Sequence, residues 1–339
     1  MDAGQDREVT RLMPVFPFPA LVADIGGTNA RFACLEAPDA PLSSPVRLAT
    51  AEAVSFAAAV RLATDRGGFP VPRSLLVGAA GPVRDRAVRL TNAAWTINGP
   101  ALARDLGLAQ GILFNDFETL SLALPALRPA DWRAIGPDRA ATSGTLAVIG
   151  PGTGLGVGAL VDAGGRWLPL SSEGGHVALA ARDEAEAALW ARLAPDGHRL
   201  VAERLLAGPG LARLHAALAG RDCDPATVST LALSGADHEA RMAVRRWLDA
   251  LAHFSRDMAL TFLATGGVYL AGGILPQMCD LIDGDAFRAS FETHPTHQAV
   301  LETIPIRLIV AAEPALAGLS AFAGAPDRYH VDLERRLWR

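Results

Sequence analysis

The 339-residue chain contains no lysine, and all 31 of its basic side chains are arginines. A nucleotide site of the Walker-A type needs the lysine of its Gly-Lys-Ser/Thr sequence, and Schiff-base or pyridoxal chemistry needs a lysine amine. Both kinds of site are therefore excluded. Any nucleotide would have to be bound by another architecture.

Cysteines and basic clusters are also scarce. Cys34, Cys223 and Cys279 are odd in number and widely spaced, and the sequence has no Cys-x-x-Cys pair. Structural disulfides and a cysteine-rich zinc site are therefore not expected, and a reducing cytoplasm fits this pattern. The net charge is −5 without any arginine-rich run, which argues against a nucleic-acid partner.

Long apolar runs are missing as well. Charges, glycine or proline interrupt each run before it reaches the roughly 20 residues that cross a membrane. The N-terminal residues are too charged for a secretory signal, so we expect neither export nor membrane insertion. With 50% hydrophobic and 20% charged residues, the composition is that of an ordered globular protein.

Strand and helix signals alternate along the chain, which predicts an α/β fold of two lobes with a cleft between them. The predicted strands are 20–24, 31–35, 75–80, 87–91, 111–115, 268–270 and 306–310, with a strand-rich unit at 145–170. The predicted helices are 100–107, 117–124 and 314–322, and residues 181–265 are mostly helical, with the longest pattern at 237–263. Pro125 and Pro129 mark the break between the two units.

A glycine-threonine loop occurs twice, 125 residues apart. The first copy is Asp24-Ile25-Gly26-Gly27-Thr28-Asn29, and the second is Gly150-Pro151-Gly152-Thr153-Gly154. Each follows a short β-type run, so each is predicted to be the turn of a β-hairpin. Glycine allows left-handed angles and close backbone approach, so that N–H groups can point into one concavity. Two facing loops of this kind could hold a polyphosphate from both sides.

The dipeptide Asn115-Asp116 ends an apolar strand and begins a helix. Functional side chains of α/β folds lie at this edge of a sheet. The alternative is a simple helix cap, since Asn or Asp before Phe-Glu-Thr-Leu is a common N-cap. Both can hold together if Asn115 caps while Asp116 faces the cleft.

The segment Glu173-Gly174-Gly175-His176 follows the second loop. Its two glycines let a carboxylate and an imidazole point at one small polar ligand, and both groups suit sugar hydroxyls. A metal site is the weaker alternative, because one Glu and one His supply too few ligands. His176 as an ordinary surface histidine is a further alternative.

Two more segments are ambiguous by themselves. Glu203 lies on an amphipathic helix, where a glutamate is usually only solvated, and the Gly-Pro-Gly at 208–210 is typical of a helix stop. The turn Ala271-Gly272-Gly273 joins a strand to a helix. Its glycines would let a base or ribose approach the backbone, although tight strand–helix packing would explain them as well.

Taken together, these segments resemble the bacterial glucokinase family of the sugar kinase and actin superfamily. The resemblance runs from about residue 21 to 318. Its motifs, in family order, are D-I-G-G-T-N-A-R at 24–31, F-N-D-F at 114–117, G-P-G-T-G-L-G-V-G at 150–158, E-G-G-H at 173–176, A-E-R-L-L-A-G-P-G at 202–210 and A-G-G-I-L-P at 271–276.

The resemblance implies an ATP-dependent kinase that phosphorylates the 6-hydroxyl of D-glucose, with Asp116 as the catalytic base. The implied glucose ligands are Asn92, Asn115, Asp116, Glu173, His176 and Glu203. The implied nucleotide contacts are Asp24, Gly26, Gly27, Thr28 and Asn29 in the first phosphate loop, Gly152, Thr153 and Gly154 in the second, and Gly272 and Gly273 at the adenosine. Asp24 is expected near Mg²⁺.

The resemblance further implies the two-lobed actin-like ATPase (ribonuclease H-like) fold, with the active site in the cleft, and a cytoplasmic homodimer. We expect a flexible extension at 1–18, a small α/β domain of 19–126 plus about 315–339, and a large α/β domain of 127–314. The related ROK kinases carry a cysteine-rich zinc motif that this chain lacks, so no zinc is expected. A kinase for another hexose, a non-catalytic sugar-binding regulator and an actin- or chaperone-like ATPase are the alternatives.

Overall fold

The computed structural model describes residues 16–90, 95–195 and 197–339, which form two large sheets, one small two-stranded sheet and the covering helices. The strands are β1 (Ala20–Ile25), β2 (Asn29–Leu35), β3 (Val46–Ala49), β4 (Ser74–Ala79), β5 (Ala87–Arg89), β6 (Thr96–Asn98), β7 (Gln110–Asn115), β8 (Trp132–Ala134), β9 (Leu146–Pro151), β10 (Leu155–Asp162), β11 (Trp167–Ser172), β12 (Gly267–Leu270) and β13 (Ile306–Ile309).

The two large sheets begin in the same way, and β5 and β6 form the small antiparallel sheet. In the five-stranded sheet β3-β2-β1-β4-β7, strands β1 and β2 form an antiparallel hairpin, and β4 and β7 continue parallel to β1. In the six-stranded sheet β11-β10-β9-β12-β13-β8, strands β9 and β10 form the hairpin and β12 and β13 run parallel to β9. Each hairpin turn therefore lies at the end of its sheet where the parallel strands also finish.

Helices cover both sheets. They are α1 (Phe56–Gly67), α2 (Gly99–Leu106), α3 (Asp116–Ala123), α4 (Glu184–Leu193), α5 (Ala202–Leu206), α6 (Gly208–Ala219), α7 (Pro225–Ser234), α8 (His238–Phe262), α9 (Gly284–Glu292), α10 (Gln298–Leu301), α11 (Pro314–Gly324) and α12 (Leu333–Arg336). The long α8 carries Trp247, Leu251 and Phe254 into the core beneath the six-stranded sheet. This is the face that its apolar spacing predicts.

Helices α3 and α11 lie between the two sheets and pack against each other. Leu319 and Phe322 of α11 pack against the five-stranded sheet, whereas Leu120 of α3 packs with residues of the six-stranded sheet. The molecule is thus two α/β lobes joined through this helix pair. The α/β class and the two-lobed arrangement that the sequence predicts are confirmed.

The structure differs from the sequence prediction between residues 36 and 74 and at Phe16. No element was predicted between 36 and 74, where the structure has β3 and α1. The signal for α1 was present, since Ser55 caps it and Phe56, Ala59 and Val60 lie on one buried face. Phe16, placed by the sequence in the flexible extension, is buried 5.8 Å from the ring of Phe322.

Within the described ranges, no helix combines the length and the apolar character needed to cross a membrane.

Candidate active site

The first glycine loop is the turn between β1 and β2, as predicted. The antiparallel register places Asp24 opposite Arg31, and the Arg31 guanidinium donates to the Asp24 carboxylate at 3.2 Å. The same guanidinium pairs at 3.1 Å with Glu313, the residue that precedes α11. The loop is thereby tied to the helix pair between the lobes.

The turn itself is closed by backbone hydrogen bonds. The Gly26 N–H donates to the Asn29 carbonyl at 2.9 Å, and Thr50 donates its N–H to the Thr28 carbonyl and its hydroxyl to the Gly27 carbonyl. Thr28 and Asn29 are exposed. The left-handed angles expected of the glycines in both loops are not found, because Gly26, Gly27, Gly152 and Gly154 are outside the set with positive φ. A Cβ on Gly154 would lie 2.6 Å from Glu203 Oε2, whereas a Cβ on Gly26 or Gly152 would meet no atom closer than 3.4 Å.

The second glycine loop joins β9 to β10 and rests on the start of α6. The Gly152 N–H donates to the Gly154 carbonyl, and the Gly208 N–H donates to the Gly152 carbonyl, both at 2.8 Å. The Gly-Pro-Gly at 208–210 therefore opens a helix instead of only stopping one, because Pro209 occupies its first turn. The positive end of the α6 dipole favours an anion beside this loop.

Asn115 is the N-cap of α3, so the capping alternative is correct. Its side-chain oxygen accepts from the N–H groups of Phe117 at 2.9 Å and Glu118 at 3.3 Å, and its amide donates to the Gly81 carbonyl at 3.3 Å. The side chain is thus held by three backbone groups at the wall of the cleft. Its role as a glucose ligand stays a prediction.

Asp116 begins α3 beside two other carboxylates. Burial, then the negative charge of Asp24 and more weakly that of Glu173, raise the pKa of Asp116 from 3.8 to about 6. Burial also raises the pKa of Asp24, although the positive charge of Arg31 partly lowers it again. The fold has therefore brought together three carboxylates from β1, α3 and the segment after β11. A carboxyl group with a pKa near neutrality is suited to accept a proton.

Glu173 and His176 lie on the opposite wall, in a short 3₁₀ turn that follows β11. Their side chains are 73% and 57% exposed, with 3.6 Å between Oε2 and Nε2. Gly175 lies between them against β10, where a Cβ would be 2.0 Å from the Leu155 carbonyl oxygen. The turn is therefore seated on the strand that leaves the second loop, and its two polar side chains are free to meet a ligand.

Glu203 has a partner that the sequence did not suggest. Its Oε2 accepts the Leu155 N–H at 2.9 Å, next to Gly154, so it is not merely solvated. Leu155 is thus contacted on its N–H by Glu203 and on its carbonyl side by the Glu173–His176 turn. Glu203, the Glu173–His176 turn and the second loop therefore meet at the backbone of Leu155.

Gly272 and Gly273 follow β12 and lie beside the second loop. Gly272 has φ of +93°, and a Cβ there would lie 2.2 Å from the Pro151 carbonyl oxygen, so only glycine fits. Around Gly273 there is open space. Tight packing explains Gly272, whereas Gly273 leaves room for a flat group to reach the backbone.

A cleft of about 920 Å³ is lined by Asn115 and Glu173 together with residues of β11 and of the C-terminal segment. Sequence reasoning missed Arg31 and Glu313 as partners of the first loop. Hairpin pairing could have revealed Arg31, whereas nothing in the sequence near Glu313 indicates its contact. The predicted ligand Asn92 lies outside the described residues.

The donor set at Asp24 fits a hard cation. Mg²⁺ in proteins takes one or two carboxylates and completes its shell with water and substrate phosphates. Asp24, at the end of β1, can supply such a carboxylate oxygen next to the first phosphate loop. Among the described residues, no group of three or more His, Cys, Asp or Glu side chains could hold a metal by itself.

Comparison with known proteins gives consistent matches. The family model Glucokinase matches residues 21–325. Glucokinases from Rhizobium meliloti and Sinorhizobium fredii are 39% and 40% identical to the chain, each over 96% of this chain and 97% of the relative.

Solved structures match as well. The crystal structure of a glucokinase from an Antarctic psychrotroph has a TM-score of 0.80 at 31% identity, covering 89% of this chain and 97% of that one. A ROK family glucokinase from Streptomyces griseus in complex with glucose and AMPPNP has a TM-score of 0.61 at 19% identity, over 89% and 97% of the two chains, and shows similarity of fold alone.

Proposed function

The chain belongs to the glucokinase family, and we propose that it transfers the γ-phosphoryl group of ATP to the 6-hydroxyl of D-glucose, with Asp116 as the general base. The fold is that of the two-lobed actin-like ATPases. The observation that carries the proposal is the match of residues 21–325 to the Glucokinase family model, and the raised pKa of Asp116 beside Asp24 and Glu173 supports the choice of the base.

Asp116 would accept the proton of the 6-hydroxyl while that oxygen attacks phosphorus. General-base assistance of this kind contributes about 10²–10⁴-fold in rate. Glu173 and His176, whose side chains are exposed, would bind sugar hydroxyls, and Asn115 would fix the turn that carries the base. Positioning of this sort is the main demand of phosphoryl transfer.

The phosphates would lie between the two glycine loops, near the N-terminus of α6. Mg²⁺, held at Asp24, would neutralise charge on the transferring group when bound. Gly272 and Gly273 would border the adenosine. Closure of the lobes would keep water from competing with the sugar.

The decisive experiment measures ADP release by the purified protein with Mg-ATP, alone and with D-glucose, N-acetylglucosamine, mannose or fructose. We expect strong stimulation by glucose. Stimulation by another sugar alone would keep the mechanism and change the substrate, whereas ADP release that is indifferent to every sugar would refute the proposal.

The Asp116→Asn variant tests the base. Turnover should fall by at least about 10²-fold, while glucose affinity, measured by calorimetry, stays within roughly tenfold. Near-normal turnover in this variant would show that Asp116 is not the general base.

Family membership also supports a cytoplasmic homodimer as part of the proposal. Light scattering coupled to size exclusion should give about twice the 35.4 kDa of the chain. A monomeric mass would contradict it.

A further inference from the structure

The C-terminal residues 329–338, here named the C-terminal strap, lie beyond residue 325, where the match to the family model ends. The strap begins at Tyr329, which is buried and donates its hydroxyl to the Leu122 carbonyl of α3 at 3.1 Å. It ends at Trp338, whose backbone pairs with Gly111 of β7 in both directions, at 3.0 and 3.1 Å. The strap is therefore fixed on both sides of the β7–α3 turn.

Trp338 is anchored deeply. It is 1% exposed, and a Cβ on Gly99 or Gly111 would lie 2.2 or 2.4 Å from its ring atoms. An indole fitted this closely into the core holds the end of the strap in place. Arg86 adds a second attachment, because its guanidinium donates to the carbonyls of Glu334 and Arg335 at 2.8 and 2.9 Å.

Between these anchors, Arg336 reaches the buried end of Glu118. The ion pair joins Nη1 to Oε1 at 2.5 Å, with the Glu118 side chain only 4% exposed. The guanidinium also lies 5.6 Å from the centre of the Phe114 ring. Burial raises the pKa of Glu118 and Arg336 opposes that rise, so the strap favours the carboxylate form.

Glu118 in turn holds the start of α3. Its second oxygen, Oε2, accepts the Asn115 N–H at 3.4 Å, while the Asn115 side chain accepts the Glu118 N–H, which is a capping box. Asp116 lies within this box. Arg336, Glu118 and Asn115 thus form a chain of contacts that ends at the residue before the proposed base.

We propose that the C-terminal strap positions the catalytic turn, and that Arg336 is a positioning residue for Asn115 and Asp116 through Glu118. The inference rests on the proposed function. Glu334, Arg335 and Arg336 also line the cleft together with Asn115 and Glu173, so the strap forms part of the wall next to the sugar.

The test compares Arg336→Gln with Arg328→Gln, an exposed arginine of the neighbouring segment. Arg336→Gln should lower kcat about tenfold or more and raise the KM for glucose, with the KM for ATP changed less than twofold, because small displacements of a base are costly. Arg328→Gln should match the unaltered enzyme. Values of kcat and glucose KM within twofold of the unaltered enzyme for Arg336→Gln would overturn the inference.

A second variant separates positioning from loss of folding. Glu118→Gln keeps an acceptor for the Asn115 N–H and removes the buried charge. In the Arg336→Gln background it should restore much of the lost kcat, because no unpaired carboxylate remains in the core. If Glu118→Gln lowers kcat by the same factor in the Arg336→Gln background as in the unaltered enzyme, the proposed chain of contacts is wrong.

Two further controls complete the test. Should Arg336→Gln not fold, Arg336→Lys decides the question: it keeps the charge without the planar fork, and a raised glucose KM is expected. An unchanged glucose KM in Arg336→Lys would then overturn the inference. An unaltered enzyme without sugar-stimulated ADP release would instead mean that the proposed function has failed.

Discussion

The Phe117 ring occupies the space that a side chain on Gly156 would need, since a Cβ on Gly156 would lie 1.8 Å from Phe117 Cε2. A Cβ on Gly150 would also come within 2.6 Å of this ring. The glycine-rich motif of the second loop therefore serves two purposes. It shapes the loop, and it receives the residue that follows Asp116, so that the two lobes meet directly behind the proposed base.

The first prediction follows from this contact. Gly156→Ala should displace Phe117 and with it Asp116, lowering kcat about tenfold or more and costing about 1–3 kcal/mol of stability by overpacking. Steady-state kinetics and urea unfolding measure the two effects. Adding Phe117→Leu should recover part of the loss, because the smaller side chain leaves room for the methyl group. A Gly156→Ala enzyme with normal kcat and stability would contradict the contact.

The second prediction concerns pH. Asp116 must be ionised to act as a base, and its pKa in the free protein is about 6. The value of kcat/KM for glucose should therefore be level above pH 7 and fall about tenfold per pH unit well below 6. Asp24, whose pKa is also raised, can steepen the fall. The residual kcat/KM of Asp116→Asn should not show this fall at low pH. If kcat/KM of the unaltered enzyme stays level down to pH 5, Asp116 is not the general base.

The third prediction is a gain of stability when the base is removed. Folded Asp116 keeps its proton up to about pH 6, whereas an ordinary aspartate loses it near 3.8. Between these values the folded state binds more protons, so its stability declines as pH rises and stays lower above pH 6. Asp116→Asn should thus be more stable at pH 7.5 by about 1–3 kcal/mol and gain less near pH 4.

Urea unfolding at the two pH values measures this difference. Loss of stability in Asp116→Asn at both values would show that burial does not penalise the carboxylate.

The fourth prediction concerns Glu203, which bonds the Leu155 N–H beside the second loop. Glu203→Ala should raise the KM for ATP as well as for glucose, each about tenfold, because a charge-assisted hydrogen bond is worth about 1.5–3 kcal/mol. Glu203→Gln keeps an acceptor oxygen, so its effect on ATP should be smaller. Glu184→Ala, at an exposed site on α4, is the matched control. A normal KM for ATP in Glu203→Ala would mean that the bond does not support the loop.

Much of the fold could be predicted because its signals are local. The apolar spacing of α8, the two hairpins at 24–29 and 150–154 and the strand–helix junction at 115–116 all depend on neighbouring residues. The missed helix α1 also carried a local signal in Ser55 and the residues after it. Motif order was enough to identify the family, since the same segments recur with similar spacing.

The contacts that set up the site could not be predicted, because they join residues far apart in sequence. Glu313 reaches Arg31, Glu203 reaches Leu155, and Arg336 reaches Glu118 only after the chain has folded. The sequence by itself determined which residue types are present and in which local elements they lie. Tertiary packing decided the burial and the neighbouring charges that raise the pKa of Asp116, since a carboxyl group responds to the charges and solvent around it and not to its position in the chain.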